Sequence, residues 1–360
     1  MLFRSQAVAL GDQTLALQAS IVVGSGLQND GHLPEAYAHL RRTLFTSRAN
    51  HDLIAEAYCR HQLAVLDNFM GRFGRAAIGE RQVVELARRL GNRVGECATL
   101  FYLSLAEGGR GYYDAAWAAL EEGYALAQQI RSPLWLARYP NQRAWLSAEL
   151  GDWESAYEID RAGLEPARDV PGLREFEIST LINLALDCVA LNRLDEAEAY
   201  LIESQRDVGR PEFGSHNWRW QTRLADARAR LMLARGKIDE AEKPIGDLLQ
   251  QAETTRARKY LARGLVLRAD WHRQRNDLAA AESDLRAAVG HADGMGYFPT
   301  RVEARRRLRK VYEQTGSTAK ADRTQAELAA LMAELDRTLQ QPDLRRSFER
   351  GVAADFPHKE

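Results

Sequence analysis

Residues 64–76 read AVLDNFMGRFGRA, and the small residues in this stretch decide the fold. Gly71 is preceded seven positions earlier by Ala64 and followed five positions later by Ala76. Apolar residues three and four positions apart lead up to the glycine, as on one face of an α-helix. Gly71 can end that helix because glycine, and less often asparagine, adopts the left-handed cap conformation at little cost. A second helix follows, so the stretch predicts a helical hairpin.

The same pattern recurs along the whole chain. The turn residue and the alanine five positions later form eight pairs: Gly31/Ala36, Gly71/Ala76, Gly111/Ala116, Gly151/Ala156, Asn192/Ala197, Gly236/Ala241, Asn276/Ala281 and Gly316/Ala321. The turn residues lie 40, 40, 40, 41, 44, 40 and 40 positions apart. A fixed period of about 20 to 50 residues is the signature of a stacked-repeat architecture. Such stacks present a curved surface to other molecules, which favours an interaction protein.

A second small residue precedes the turn by seven positions in seven of the eight repeats. The series is Gly24, Ala64, Ser104, Ala144, Ala185, Ala229 and Ala269, and only the last repeat departs from it, with Arg309. Two small residues at fixed offsets indicate that the two helices cross at close range. No sustained alternation of period two competes with the helical pattern. We therefore predict an all-α, right-handed superhelical solenoid of about eight hairpins with a period of about 40 residues.

The repeats also predict the domain organisation. The array is expected to occupy residues 1–340, with hairpin turns near residues 31, 71, 111, 151, 192, 236, 276 and 316. Residues 341–360 are predicted to be a C-terminal tail. The longest step separates the fifth and sixth turns and contains Pro211 and Gly214, which predicts an irregular loop at residues 209–215.

The pattern resembles the tetratricopeptide repeat, which has a small residue in its first helix, a glycine at the turn and an alanine in its second helix. The usual period is about 34 residues, so each hairpin here is longer by roughly six. Long-period versions resemble the C-terminal repeat arrays of signal-transduction ATPases and of regulators linked to nucleotide cyclases. Three stretches carry this likeness: residues 216–220 (HNWRW), 255–260 (TRARKY) and 343–348 (DLRRSF). The resemblance implies a regulatory array in bacterial-type signal transduction.

The resemblance also implies a binding site. In tetratricopeptide arrays the first helix of each hairpin lines a concave groove. The resemblance implies groove-facing side chains 13, 10, 6 and 3 residues before each turn residue, and we call these positions the family offsets. The matching positions in repeats four, six and seven combine arginine, acids, an amide and a tryptophan: Arg138, Asn141, Trp145, Arg223, Asp226, Arg230, Arg263 and Asp270. Aromatic and arginine side chains dominate interaction hot spots, and a guanidinium can bind a carboxylate through two parallel bonds. We expect a protein or peptide partner in this groove.

Catalytic and metal-binding patterns are absent from the sequence. Cys59, Cys97 and Cys188 are far apart, and the histidines show no metal-ligand spacing. The glycines at 24 and 26 lack the Gly-Lys-Ser/Thr ending of a phosphate-binding loop. We therefore expect buried, reduced thiols, no cofactor, no metal and no enzymatic activity.

Charge and hydropathy limit the location and the partners. The formal net charge is −1, which does not suit a polyanion-binding protein. The sequence has no secretory signal pattern and no apolar run of about 18 residues. We expect a cytoplasmic protein that does not bind membranes.

Four alternatives remain open. Residues 256–310 contain 14 Lys or Arg against 6 Asp or Glu, so they could form a basic surface for an acidic partner or a nucleic acid. Nucleic acid is disfavoured because no aromatic residues are interleaved with the basic run at 305–310. The chain could instead be a small-ligand sensor array of a larger ATPase or cyclase. It could be an enzyme whose site is assembled from distant repeats, or an adaptor that self-associates through its apolar N-terminal helix.

Overall fold

A computed structural model of the chain describes residues 13–168, 172–206, 208 and 216–355. The regular elements within these residues are seventeen helices. In chain order they are α1 (Gln13–Asn29), α2 (Leu33–Ala49), α3 (Leu53–Phe69), α4 (Phe73–Arg89), α5 (Arg93–Gly109), α6 (Tyr113–Gln129), α7 (Pro133–Glu149), α8 (Trp153–Ala167), α9 (Arg174–Ala190), α10 (Leu194–Gln205), α11 (Asn217–Ala234), α12 (Ile238–Thr254), α13 (Arg258–Gln274), α14 (Leu278–Met295), α15 (Phe298–Gln314), α16 (Thr318–Thr338) and α17 (Pro342–Asp355). The predicted loop at 209–215 lies outside the described residues.

The first sixteen helices pair into eight hairpins, from α1–α2 to α15–α16, and every predicted turn residue lies between the two helices of a pair. All eight turn residues have a positive φ, from 58° at Asn192 to 88° at Gly151. This left-handed conformation lets the chain cap the preceding helix, as where the N–H of Arg72 donates to the carbonyl of Asp67 at 2.7 Å. The predicted all-α helical-repeat solenoid is therefore confirmed.

The small residues lie where the helices cross. The alanine five positions after each turn is no more than 6 % exposed in any of the eight hairpins. At Gly24 an added Cβ would overlap the side chain of Leu40 on the partner helix. The three cysteines are buried within helices, as predicted. The small residues of the repeat pattern therefore lie where the two helices of a hairpin are close together.

Hairpins five repeats apart touch, and these contacts close the superhelix. A Cβ on Gly31, at the first turn, would lie 3.1 Å from the ring of Trp218 in α11. A Cβ on Gly111, at the third turn, would lie 3.7 Å from the Cβ of Phe298 in α15. One superhelical turn therefore takes about five hairpins. Glycine at these two positions permits the contact between successive superhelical turns as well as the hairpin turn itself. A larger side chain would come close to the hairpin five repeats further along.

The C-terminal segment corrects the prediction of a tail at residues 341–360. Residues 342–355 form α17, which lies against the fourth hairpin. The guanidinium of Arg350 donates to Asp152 at 3.0 and 2.6 Å, and Phe348 is only 6 % exposed. Gly351 is so close to the fourth turn that a Cβ would overlap the carbonyl oxygen of Leu150.

This docking could not be read from the sequence for a physical reason. Leu344 and Phe348 are the buried apolar anchors of α17, and they are surrounded by charged residues. They belong to a buried cluster that also contains residues of α6, α7 and α16, which the superhelix brings together from distant parts of the chain. Residues 356–360 lie outside the described residues.

Candidate functional site

The superhelix encloses a central cavity of about 620 Å³. Helices α7, α8, α9, α11, α13, α15, α16 and α17 contribute to its walls. Its lining includes the apolar residues Trp145, Leu186 and Val189 and the charged residues Asp187 and Arg263. Ligand pockets in proteins commonly measure about 300 to 1,000 Å³. The central cavity is therefore large enough for a small molecule or a short segment of a peptide.

An ion-pair network covers the wall formed by α11, α13 and α15. Arg230 donates to Asp226 at 3.0 Å and to Glu303 at 2.9 Å. Arg307 is 3.1 Å from Glu303 and 2.6 Å from Asp270. Burial would raise the pKa of Glu303, but the charges of Arg230 and Arg307 outweigh it and hold this pKa well below its usual range. The acids and arginines of this wall therefore neutralise one another.

The wall formed by α8 and α9 carries two buried carboxylates, Asp160 and Asp187, which we call the acidic pair. Each is 2 % exposed, and both line the central cavity. The side-chain amides of Asn141 and Asn183 donate to the two oxygens of Asp160 at 2.7 and 3.1 Å. Oδ2 of Asp187 is buried without a hydrogen-bond partner. Burial raises the pKa of Asp160 to about 7, and burial together with the charge of Asp160 raises the pKa of Asp187 well above its usual value.

Arg223 lies next to the acidic pair without forming an ion pair with it. Its guanidinium donates to the hydroxyl of Ser179 at 2.9 Å and to the side-chain oxygen of Asn183. Burial lowers its pKa to about 10, and the positive charges of Arg219 and Arg263 act in the same direction. Arg223 is therefore a half-buried cation whose hydrogen-bond acceptors are neutral groups.

The structure brings half of the predicted groove residues to the central cavity. The four that line it are Trp145, Arg230, Arg263 and Asp270. The other four do not line it, and they bind other side chains: Arg138 donates to Glu175, Asn141 to Asp160, Arg223 to Ser179, and Asp226 accepts from Arg230. Four of the eight predicted positions thus line the central cavity, and their role in binding stays a prediction.

The acidic pair and Glu303 were missed by the sequence reasoning. Asp160 lies on the second helix of its hairpin, and the resemblance directs attention to first helices. Asp187 does not fall on a groove offset, although it is a single acid within the apolar run at residues 184–189. A lone carboxylate in an apolar helical segment was the available signal, because such a group is buried only at a cost in free energy.

The basic surface predicted at residues 256–310 is largely neutralised by the protein itself. Arg305 is 2.7 Å from Asp293 and 3.2 Å from Glu327. Arg309 is 3.3 Å from Glu313, and Arg307 belongs to the network described above. The excess of cations counted along the sequence is therefore offset by acids from neighbouring helices. These ion pairs count against the nucleic-acid alternative, because cations already paired with acids are less available to phosphates.

Two further features of the described residues bear on the site. No group of three or more His, Cys, Asp or Glu side chains in the described part of the chain is arranged to hold a metal ion. Among the described helices, none combines the length and apolar character that a membrane crossing needs.

Comparison with known proteins defines the class. No family profile and no curated protein sequence matches the chain. A solved Rap protein, in complex with competence and sporulation factor, aligns with 91 % of this chain and 88 % of its own at 13 % identity and a TM-score of 0.67. The Rap conjugation gene regulator of plasmid pLS20, solved with a Phr peptide, aligns with 82 % of this chain and 80 % of its own at 13 % identity and a TM-score of 0.63. The chain is a tetratricopeptide-like helical-repeat protein.

A third solved structure is a signal-transduction ATPase with a tetratricopeptide sensor from Pyrococcus horikoshii. It aligns with 88 % of this chain and 46 % of its own at 14 % identity and a TM-score of 0.45. The resemblance to the repeat arrays of such ATPases therefore stays a prediction.

Proposed function

We propose that this protein is a non-catalytic regulatory module that binds a short, extended peptide segment of a partner in its central cavity. The observation that carries this proposal is the cavity itself, a concave space open to solvent on one side and lined by apolar residues and by charged residues of both signs. One Rap protein of similar fold was solved with competence and sporulation factor and another with a Phr peptide, and the second complex supports a peptide as ligand. We place the module in bacterial-type signal transduction, acting in the cytoplasm.

The chemistry of the lining suits a peptide. Trp145, Leu186 and Val189 offer apolar surface for side chains. Asn183 and Arg263 provide donors that a peptide carbonyl or carboxylate can accept from. The ion-pair network holds the charged wall in place before the ligand arrives, which reduces the entropy lost on binding.

The test uses variants that obstruct the cavity. Ala234 lines the cavity and is itself exposed, so Ala234→Trp places a large ring in the cavity without removing core packing. Ala279→Trp is the matched control, because Ala279 is an exposed alanine that does not line the cavity. Both proteins and the wild type are used to select binders from a random-sequence library of short peptides.

The expected result is a set of peptides that bind the wild type and Ala279→Trp with similar affinity and lose at least about tenfold affinity for Ala234→Trp, a difference of about 1.4 kcal/mol. Hydrogen exchange should show protection of α9, α11 and α13 when such a peptide is bound. Recovery of peptides that bind Ala234→Trp as tightly as the wild type, or of no binders at all, contradicts the proposal.

A further inference from the structure

We propose that the acidic pair, Asp160 and Asp187, is a subsite for an organic cation, the guanidinium or ammonium group of the bound peptide. The inference rests on the proposed function and names the chemistry of its ligand. It predicts that the partner segment carries an arginine, a lysine or a free amino terminus at the position that meets α8 and α9.

The first support is that no cation of the described residues lies within ion-pair distance of the acidic pair. Asp160 accepts only from the neutral amides of Asn141 and Asn183, and Oδ2 of Asp187 has no partner. The nearby Arg223 donates to neutral groups. By contrast, the acids on the other wall, Asp270 and Glu303, are both paired with arginine.

The second support is the free energy of burying two carboxylates together. A buried carboxylate without a counter-ion is strongly destabilising, and a second one beside it adds repulsion. Burial raises the pKa of both carboxyl groups, so protonation can relieve this cost. A ligand cation at this position would replace the proton as the compensating charge.

The third support is the setting of the pair. The cavity beside it is lined by Leu186 and Val189, and the aliphatic stem of an arginine or lysine packs well on such residues while its head group reaches a polar partner. A metal ion is a poorer fit, because no set of three or more suitable ligands exists among the described residues. The site is therefore suited to a side chain with an apolar stem and a cationic head.

The charged groups around the acidic pair determine whether binding of a cation releases or takes up protons. Asn141 on α7 and Asn183 on α9 face the pair as neutral donors, and Arg223 on α11 faces it as a cation. Arg230 and Arg263 line the same cavity, but both are paired with Asp226. The titratable groups at the subsite are therefore Asp160 and Asp187 themselves, and binding of a cation near neutral pH should release protons from them.

The experiment uses the peptides selected above and removes one charge at a time, either from the peptide or from the protein. In each peptide, arginine is replaced by citrulline, which keeps the shape and removes the charge, and lysine by norleucine. In the protein, Asp187→Asn removes one charge of the pair with little change in volume. Asp195→Asn is the control, because Asp195 is a fully exposed aspartate one helix further along.

We expect the selected peptides to contain a basic residue whose neutralisation weakens binding to the wild type and to Asp195→Asn by at least about tenfold. The same replacement should change binding to Asp187→Asn by less than about threefold. Calorimetry near neutral pH, in buffers of different ionisation enthalpy, should show proton release on the wild type and less on Asp187→Asn.

The outcomes separate the two proposals. Two outcomes overturn the cation subsite and leave the proposed function standing. In the first, Ala234→Trp weakens peptide binding but no basic residue of the peptide is required. In the second, the peptides prefer arginine to citrulline as strongly on Asp187→Asn as on the wild type. Absence of any binder that Ala234→Trp weakens overturns both. Uptake of protons on binding instead of their release also contradicts the inference.

Discussion

The indole N–H of Trp218 donates a hydrogen bond to the backbone carbonyl of Gln28 at 2.9 Å, although 190 residues separate them. The ring also lies against Gly31 at the first turn. This contact joins the first hairpin to the sixth and marks one completed turn of the superhelix. A linear stack would have nearest-neighbour contacts only, whereas this closed stack links its hairpins in two directions.

The first prediction concerns this long-range contact. Trp218 is 4 % exposed, so Trp218→Ala should lower the free energy of unfolding by about 3 to 5 kcal/mol, and Trp218→Phe by about 1 kcal/mol through the lost hydrogen bond. Hydrogen exchange should then speed up in α1 and α2 as well as in α11. Trp271→Phe is the control, since Trp271 donates to Ile238 in the neighbouring repeat. An effect of Trp218→Ala confined to α11 would contradict the closure.

The second prediction compares two glycines with open surroundings. Gly236 is a turn residue with φ of 70°, Gly246 lies inside α12, and neither has an atom within 4 Å of an added Cβ. Gly236→Ala should destabilise by about 1 kcal/mol because alanine is strained in the left-handed region. Gly246→Ala should stabilise by about 0.5 to 1 kcal/mol through helix propensity. Chemical denaturation measures the free energy of unfolding of both variants. A change of the same sign in the two would contradict the roles assigned to these glycines.

The third prediction tests the acidic pair through the pH dependence of stability. The pKa values of Asp160 and Asp187 are raised in the folded protein, so the pair is destabilising once it ionises. This cost is absent near pH 4, develops as the pH rises, and is present above about pH 7. Asp187→Asn should therefore be more stable than the wild type by about 1 to 2 kcal/mol at about pH 8 and similar to it below about pH 4, where the aspartates of the unfolded chain are protonated as well. Asp195→Asn should show no such gain.

The fourth prediction concerns the ion-pair network. From the sequence, Arg223 and Arg230 are expected to be groove residues whose charge can be reversed with little effect on the melting temperature. The structure shows instead that Arg230 lies between Asp226 and Glu303, so Arg230→Glu would bring three acids together. We expect a loss of at least about 3 kcal/mol, whereas Arg275→Glu, at an exposed pair with Asp239, should change little.

The same ion-pair network predicts that the stability of the protein falls as the pH is lowered. The folded-state pKa of Glu303 is lowered, so its stabilising contribution is present above about pH 5 and is lost as the pH falls further. Thermal unfolding of Glu303→Gln should therefore be less sensitive to acid than that of the wild type. A parallel decline of the two proteins between about pH 5 and pH 3 would show that Glu303 is not held by its arginines.

Part of the site could be predicted from the sequence and part could not. Trp145, Arg230, Arg263 and Asp270 were located because the repeat register fixes which side of the first helix faces inward. Asp160 was missed because it projects from a second helix, and Asp187 because it lies between the family offsets. Arg138 and Arg223 were interpreted as free ligand contacts, but Glu175 and Ser179 bind them. Pairing between helices depends on side-chain geometry, which a one-dimensional register does not contain.

The sequence by itself determined the helical hairpins, their turns and their number. These depend on local chemistry, namely left-handed glycine or asparagine at each turn and small residues at each crossing. Only the tertiary structure decided that the stack closes on itself, that α17 docks on the fourth hairpin, and that two unpaired acids line a cavity whose other wall is neutralised. The physical reason is that small rotations between successive hairpins add up over about five repeats. The residues that meet after one superhelical turn, such as Gly31 and Trp218, are far apart in the sequence and share no local sequence pattern.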